Sequence, residues 1–231
     1  MLRKWEELPE FMKNDEVKKY YEILSRKKFS LLLKRISDLM IALILVVILA
    51  IPMAVISIRI VLESKGGVFY RQERITSYGK KFRIHKFRTM VPNADQTGAL
   101  ITVSNDNRIT ATGKWMRDKR IDEIPQLFDV IEGNMSFVGT RPEVTKYVEQ
   151  YTDEMMATLL LPAGITSEAS IRYKDEAKLL DEAKDVEAIY ISRILPDKMQ
   201  YNLESIREFS FFREIKTMFR TISVLMGKEC R

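Results

Sequence analysis

Residues 39–58, LMIALILVVILAIPMAVISI, form a run of twenty residues without a charged side chain, bounded by Asp38 and Arg59. A helix of this length spans about 30 Å, the thickness of the hydrocarbon core of a bilayer. The run begins deep in the chain, after a charged segment, and no small-residue cleavage site follows it, so it is not a cleavable signal peptide. We expect a membrane helix here.

Two features bear on how this helix meets the membrane. Pro52 removes an amide donor and crowds the preceding turn, so we expect the helix to bend or break at Ile51 and Pro52. Both flanks are basic, and such flanks stay cytoplasmic, which favours a helix–break–helix that enters and leaves through one leaflet. Hydropathy alone favours a plain spanning helix. The flanking cations are Lys19, Arg26, Lys27, Lys28, Lys34 and Arg35 before the run, and Arg59, Lys65, Arg71 and Arg74 after it.

The charge is divided unevenly along the chain. Residues 1–120 hold 24 Lys/Arg against 12 Asp/Glu, a net charge of +12, whereas residues 121–231 hold 14 against 20, a net charge of −6. A basic half requires an anionic partner. Charge alone does not distinguish among lipid headgroups, substrate phosphates and nucleic acid as that partner. Cys230 is the single cysteine, so no disulfide forms within the chain, as suits a reducing compartment.

Patterning predicts a mainly helical α+β fold with three parts: a peripheral N-terminal extension over 1–30, the membrane helix over 31–62 and a larger domain over 63–231, which the family resemblance described below makes the catalytic domain. Two strands, Val68 to Arg74 and Lys81 to Arg88, should form a hairpin around Ser77-Tyr78-Gly79. Residues 93–107 are loop-like, and Met135 to Pro142 is a loop or short strand. The predicted helices are Asp15 to Leu24, Ile109 to Lys119, Glu123 to Glu132, Val144 to Leu160 and Asp175 to Arg193.

Apolar residues also recur at helical spacing near the C-terminus, with basic residues between them. This pattern is typical of an interfacial helix that lies among lipid headgroups, and equally of a helix that packs on the core. The apolar residues are Phe209, Phe212, Ile215, Phe219, Ile222 and Met226, and the basic ones are Arg207, Arg213, Lys216 and Arg220.

Asp122 and Glu123 place two adjacent carboxylates after a basic cluster that includes Arg117. One interpretation is structural: Asp122 caps a helix, Glu123 adds negative charge to its first turn, and Pro125 is tolerated there. The other is functional, because the helix N-terminus and nearby arginines suit an anion while the carboxylates hold a divalent metal or attack phosphorus.

Two further segments carry cations that suit phosphate. Arg141 lies in a Gly-Thr-Arg-Pro loop, which can present a guanidinium fork. Lys86 and Arg88 alternate with aromatic residues, a pattern that suits nucleic acid as well as a nucleotide. His85 is the only histidine, which excludes sites that need a second one, and we interpret it as a strand residue rather than a general base.

Six motifs in order resemble the bacterial sugar transferases, the monotopic phosphoglycosyl transferases, from about Phe29 onward. They are Lys34-Arg35-Ile36-Ser37-Asp38, the apolar run with its proline, Phe69-Tyr70-Arg71-Gln72-Glu73-Arg74, Lys86-Phe87-Arg88-Thr89-Met90, Asp122-Glu123-Ile124-Pro125-Gln126-Leu127, and Gly133-Asn134-Met135-Ser136-Phe137-Val138-Gly139-Thr140-Arg141-Pro142. The chain departs from the family pattern in having Ile51 for a serine and Thr140 for a proline. It also has Pro162-Ala163-Gly164-Ile165-Thr166 where Arg-Pro-Gly-Ile-Thr is usual, so the arginine of that motif is missing.

The resemblance implies a two-step reaction. Asp122 attacks the β-phosphorus of a UDP-sugar and expels UMP, and polyprenyl phosphate, usually undecaprenyl phosphate, then takes the phosphosugar. Glu123 coordinates Mg²⁺, while Arg117 and Arg141, with Lys86 and Arg88, bind phosphate. The resemblance also implies a re-entrant membrane helix broken at Ile51 and Pro52.

The implied location is the cytoplasmic face of the bacterial inner membrane, with membrane lipids as partners, no nucleic acid and a possible homo-oligomer. The implied role is the first membrane step in assembling a glycan such as an exopolysaccharide. Two alternatives remain: a membrane-tethered basic module that binds nucleic acid or anionic lipid, and an inactive family member that acts as a scaffold.

Overall fold

The computed structural model describes residues 2–92, 94, 106–174, 176 and 185–227. This part of the chain is mainly helical with small two-stranded sheets. The helices are α1 (Asp15–Ser25), α2 (Lys28–Glu63), α3 (Ala111–Asp118), α4 (Gln126–Glu132), α5 (Thr145–Val148), α6 (Glu168–Arg172), α7 (Val186–Ile189), α8 (Leu195–Arg207) and α9 (Phe211–Leu225). The strands are β1 (Phe69–Tyr70), β2 (Glu73–Ile75), β3 (Lys81–Arg83), β4 (Lys86–Phe87), β5 (Met135–Val138) and β6 (Ala163–Thr166).

The apolar run lies within α2, one helix of 36 residues that is long and apolar enough to cross a membrane. Ile51 and Pro52 are both helical, so the chain is not divided into two helices there: of the bend or break that the proline predicts, the break is absent. A proline costs a helix one hydrogen bond without having to end it. Ile51 also carries no hydroxyl that would compete for backbone hydrogen bonds.

One face of α2 is covered by the rest of the molecule and the other is bare. Ala42, Met53, Ile56 and Ile60 are buried against two apolar clusters that also contain Phe82 and Phe87 from the hairpin. The opposite face exposes large apolar side chains along its length: Ile36, Met40, Leu43, Ile44, Val47, Ile48, Ile51, Val55, Ile58, Val61 and Leu62. Such a surface requires lipid or another apolar partner.

The predicted hairpin forms, but each predicted strand is divided in two. β2 pairs with β3, and β1 pairs with β4, both antiparallel. The hairpin turns at Ser77–Gly79, where Tyr78 has a left-handed backbone with φ of 60°. Between the paired segments, Ile84 N donates to Gln72 O at 3.0 Å, so the ribbon stays joined.

The loop or short strand predicted over Met135 to Pro142 is β5, and it pairs in parallel with β6, which the sequence analysis did not predict. The backbones approach closely where Gly164 lies against Gly139. A Cβ atom on Gly164 would lie 2.2 Å from Gly139 N and 2.3 Å from Gly139 O. Only glycine permits this crossing.

The N-terminal segment was predicted to be peripheral, and the structure contradicts this. Helix α1 confirms the predicted helix, but Met12, Val17 and Leu24 are fully buried in the largest apolar cluster. Tyr20 Oη donates to Glu154 Oε1 at 2.5 Å, which ties α1 to a short 3₁₀ helix over Met155–Leu160. The prediction was wrong because the many charged residues on the outer face of this segment outweighed the apolar residues of its buried face.

Two other predicted helices differ from the prediction. The helix over Val144 to Leu160 is only α5 followed by the 3₁₀ helix, since Thr152 Oγ1 accepts from Met155 N and competes with helical bonding. Helix α4 begins at Gln126, not at Glu123. Most of the predicted loop over 93–107 and about half of the predicted helix over 175–193 lie outside the described residues. The end of that helix is α7 followed by a π-helical turn, Tyr190–Ile194.

The amphipathic C-terminal helix is confirmed as α9, capped by Ser210, whose hydroxyl accepts from Arg213 N. Phe209 just before it is buried in the core, whereas Phe212, Phe219, Ile222 and Met226 are exposed. Helix α9 packs against α2 and is joined to it by an ion pair between Lys34 and Glu214, both of which are largely buried. The bare apolar faces of α2 and α9 therefore belong to one body.

Candidate active site

The two carboxylates lie in the turn between α3 and α4. Asp122 O accepts from Phe87 N at 2.9 Å, which anchors the turn to β4, and Ile121 N donates to Met116 O at 3.0 Å. The residue at the N-terminus of α4 is Pro125, which has no side-chain cap. Asp122 is therefore not a helix cap, and the structural interpretation of this carboxylate is wrong.

Glu123 is held by two cations from distant parts of the chain. Lys86 Nζ lies 2.7 Å from Glu123 Oε1, and the Arg141 guanidinium contacts both carboxylate oxygens, with Nη1 at 3.2 Å from Oε2. Burial opposes ionisation, but Arg141 and Lys86 hold the pKa of Glu123 well below its usual value. Glu123 is a fixed anion.

Asp122 is in the opposite situation. Among the described residues, no side chain or backbone amide donates a hydrogen bond to its carboxylate. Burial and the neighbouring charge of Glu123 raise the pKa of Asp122, against the pull of Lys86, Arg117 and Arg141. A carboxylate without hydrogen-bond donors, surrounded by cations, is available to attack an electrophilic phosphorus whose own charge those cations neutralise.

Arg117 reaches the site from the last turn of α3. Its Nε donates to Thr89 Oγ1 at 3.0 Å, which fixes the guanidinium beside Asp122. Four of the predicted residues, namely Asp122, Glu123, Lys86 and Arg141, thus come together with Arg117. Arg88 is not among them: its guanidinium donates to Ser64 O and Lys65 O, both at 2.7 Å, and caps the end of α2.

Arg141 follows β5, and two layers position its loop. Gly139 N donates to Thr166 O at 3.0 Å and Gly164 N donates to Thr140 O at 2.9 Å, across the glycine crossing. Behind the loop, the buried Glu143 accepts from Tyr190 Oη at 2.6 Å.

The sequence analysis missed a buried network behind Lys86. Asp129 on α4 is completely buried and accepts two hydrogen bonds from His85, from the backbone N and from Nδ1, each at 2.8 Å. Arg71 Nη1 lies 2.5 Å from His85 Nε2, so His85 acts as a structural residue between two partners. A carboxylate within the apolar stretch Leu127 to Ile131 was the available signal for this network.

His85, Asp129 and Glu132 place possible metal ligands within 4.8 Å of one another. Both ring nitrogens and both Asp129 oxygens are already engaged in the network, so the geometry describes hydrogen bonding. Glu123 also offers hard carboxylate oxygens, the ligand type that Mg²⁺ takes in proteins. A carboxylate has about four lone-pair sites, and the cations at Glu123 leave one of them on Oε2.

A groove of about 260 Å³ opens beside Glu123 and Arg141. Its walls are mainly apolar and come from α2, β6 and α9, and include Leu45, Ile165 and Val224. The groove therefore adjoins both the cations around the carboxylate pair and an apolar surface.

A carboxylate without hydrogen-bond donors, set among partly buried cations and next to an exposed apolar helix, suits phosphate chemistry. The chain belongs to the bacterial sugar transferase family, whose model matches residues 29–228. The resemblance drawn from the six motifs is confirmed.

Curated relatives of this chain have names that fit the same family. A putative undecaprenyl-phosphate N-acetylgalactosaminyl 1-phosphate transferase of Bacillus subtilis is 42% identical over 150 residues, which cover 64% of this chain and 82% of the relative. A UDP-N-acetylgalactosamine-undecaprenyl-phosphate N-acetylgalactosaminephosphotransferase of Aeromonas hydrophila is 33% identical, over 84% of this chain and 44% of the relative. A UDP-glucose:undecaprenyl-phosphate glucose-1-phosphate transferase of Klebsiella pneumoniae is 29% identical, over 84% of this chain and 40% of the relative. The chain thus spans less than half the length of the last two.

Proposed function

We propose that the protein transfers a sugar-1-phosphate from a UDP-sugar to polyprenyl phosphate, with release of UMP. The observation that carries the proposal is the bare Asp122 carboxylate set among Lys86, Arg117 and Arg141. The names of the relatives supply the substrate classes: nucleotide-linked sugars and undecaprenyl phosphate.

The reaction has two displacements at one phosphorus. A carboxylate oxygen of Asp122 bonds to the β-phosphorus, and the bond from that phosphorus to the bridging oxygen breaks, so that UMP leaves with the electron pair. A phosphate oxygen of the lipid then attacks the same phosphorus and the Asp122 carboxylate is regenerated. Arg117, Lys86 and Arg141 neutralise charge on the phosphate oxygens, the main barrier to such transfers.

Mg²⁺ would be held through the remaining lone pair of Glu123, and it would neutralise further phosphate charge when bound. Glu123 itself orders the site, since it holds Lys86 and Arg141 next to Asp122.

We propose that α2 enters and leaves through one leaflet, with the catalytic domain on the cytoplasmic face of the inner membrane. Contacts at both ends of the helix support this. Near its start, Ser136 Oγ donates to Asp38 Oδ2 at 2.7 Å; near its end, Arg59 Nε donates to Thr112 Oγ1 at 3.1 Å. In a straight spanning helix, the stretch between Asp38 and Arg59 would be about 30 Å long, so these residues would lie at opposite surfaces of the membrane and one polar domain could not contact both. The path through one leaflet therefore requires α2 to bend at Pro52.

Asp122→Asn tests the nucleophile, with Asp118→Asn as the matched control, because Asp118 is an exposed aspartate four residues earlier. We expect UMP release from a UDP-sugar to be lost in Asp122→Asn and kept in Asp118→Asn. A phosphosugar adduct, trapped with donor alone and located by mass spectrometry, should lie on Asp122. Full activity in Asp122→Asn would refute the mechanism, and binding of nucleic acid or lipid without any UMP release would favour a binding module or an inactive scaffold.

Topology is tested separately with tags at residues 1 and 231. Both tags should report the same compartment. Opposite compartments would mean a spanning helix and would leave the chemistry standing.

A further inference from the structure

We propose that the groove between α2 and α9 receives the start of the acceptor's hydrocarbon chain, and that Arg120 and Lys174 bind its phosphate group. The inference rests on the proposed function and adds to it a binding site for a lipid-linked phosphate monoester. Both cations line the groove, and neither coincides with the residues that neutralise the donor.

The walls of the groove suit a hydrocarbon chain. Leu45 and Leu49 come from α2, and Val224 and Leu225 come from α9. These helices carry the bare apolar faces of the molecule, where Ile48 and other side chains are exposed. An acyl or isoprenoid chain can therefore pass from the bilayer into the groove along an apolar path, which the polar halves of a UDP-sugar do not require.

The volume of the groove limits how much of the lipid can enter it. About 260 Å³ lies below the ~300–1,000 Å³ typical of pockets that enclose a drug-sized ligand. The groove holds the head of a long lipid and leaves the tail in the membrane.

Arg120 supplies the first phosphate contact. It has a left-handed backbone with φ of 55°, which is uncommon for a residue other than glycine, asparagine or aspartate. Such conformations cluster at functional sites because surrounding structure has to maintain them. One Arg120 Nη donates to Lys174 O at 2.9 Å, which ties the two residues together at the groove.

Charge favours an anion at this position. Within the described part of the chain, neither Arg120 nor Lys174 forms an ion pair with a carboxylate, whereas Lys86 and Arg141 are both paired with Glu123. Two exposed cations without acidic partners attract a phosphate monoester, which carries up to two negative charges. Glu123 and Arg141 line the same groove, and Glu123 is the chain neighbour of Asp122, so a phosphate bound in the groove is close to the reacting carboxylate.

The phosphates of the donor and of the acceptor are therefore bound by different sets of cations. Arg117 and Lys86, which lie at Asp122, are absent from the described lining of the groove. Removing the groove cations should affect the second displacement much more than the first.

The charge test uses Arg120→Asn and Lys174→Gln in the full-length protein, with undecaprenyl phosphate as acceptor. Asparagine tolerates the left-handed backbone, so the variant removes the charge without forcing the turn to change. We expect the KM for undecaprenyl phosphate to rise about tenfold or more, as losing one hydrogen bond to a charged group predicts, with the KM for the UDP-sugar nearly unchanged. Lys114→Gln, an exposed lysine on α3 outside the groove, is the matched control and should behave as wild type.

The groove test uses Val224→Trp, which fills the cavity, against Val47→Trp on the bare face of α2. The first variant should raise the KM for undecaprenyl phosphate, while inhibition by inorganic phosphate stays as in wild type. Arg120→Asn should raise the KM for undecaprenyl phosphate and also weaken the inhibition by inorganic phosphate. This contrast separates the lipid from a free phosphate as the ligand.

The adduct formed on Asp122 with donor alone reports that each variant is folded. An unchanged acceptor KM in Arg120→Asn and Lys174→Gln would overturn the inference, as would a rise in the KM for the UDP-sugar alone. If the wild-type protein forms neither adduct nor UMP, the proposed function itself fails, which is a different result.

Discussion

Gly164→Ala is the substitution for which the structure predicts the sharpest loss. Gly164 lies where β6 crosses β5, and its missing Cβ is what allows the two backbones to touch. An added methyl group would lie 2.2 Å from Gly139 N, 2.3 Å from Gly139 O and 2.6 Å from Gly139 C. These are backbone atoms, so no side chain can rotate away to make room.

The expected magnitude follows from what has to move. Overpacking a well-packed interior costs typically 1–3 kcal/mol, and a clash with three backbone atoms belongs at the upper end. Separation of the strands also weakens the bond from Gly164 N to Thr140 O, 2.9 Å long, which lies next to Arg141. A loss of about 3 kcal/mol in a chain of this size lowers the melting temperature by roughly 6–12 °C.

Thermal unfolding in detergent, followed by tryptophan fluorescence, measures the loss, and the rate of UMP release measures the displacement of Arg141. Gly67→Ala is the matched control, because within the described part of the chain a Cβ there would meet only Phe69 O, at 4.0 Å. Gly67→Ala should unfold as wild type does. Equal melting temperatures and equal rates for the two variants would refute the account of the crossing and of how Arg141 is positioned.

Three further changes have expected outcomes. Lys86→Gln removes a cation that lowers the pKa of Asp122, so the pKa of Asp122 should rise further. Because Asp122 must be ionised to attack, the acid limb of the pH profile of UMP release should move to higher pH. A move to lower pH would contradict this. Asp129→Asn should cost about 2–3 kcal/mol in denaturant unfolding, as a buried charged acceptor of two hydrogen bonds to His85 is lost; an unchanged midpoint would mean that the network is dispensable. Met12→Ala should cost about 2–5 kcal/mol by the same measurement, because Met12 is fully buried; a loss within error would restore a peripheral N-terminal segment.

Local patterns in the sequence were sufficient for the features that depend on neighbouring residues. The apolar run of α2, the hairpin around Tyr78, helix α1 and the amphipathic α9 all follow from periodicity and turn residues within a short window. The candidate site residues were named for the same reason, since each lies in a compact motif with a recognisable chemistry.

Short-range patterns failed where a polar contact or a strand partner lay far away in the chain. The parallel partner of β5 is 28 residues further on, from Met135 to Ala163, and nothing in the sequence of either strand specifies the other. The continuous α2 and the shortened α5 show the same limit, because side-chain competition and packing decide whether a helix continues past a given residue.

The sequence by itself determined that this chain has a helix long and apolar enough to cross a membrane, a carboxylate pair and the motifs of a bacterial sugar transferase. Only the tertiary structure decided which cation meets which carboxylate. Lys86 and Arg141, 37 and 18 residues from Glu123, both pair with it and leave Asp122 bare, while Arg88 turns to the end of α2. The physical reason is that a charge selects its partner by distance and burial in three dimensions, and residue spacing along the chain does not encode either.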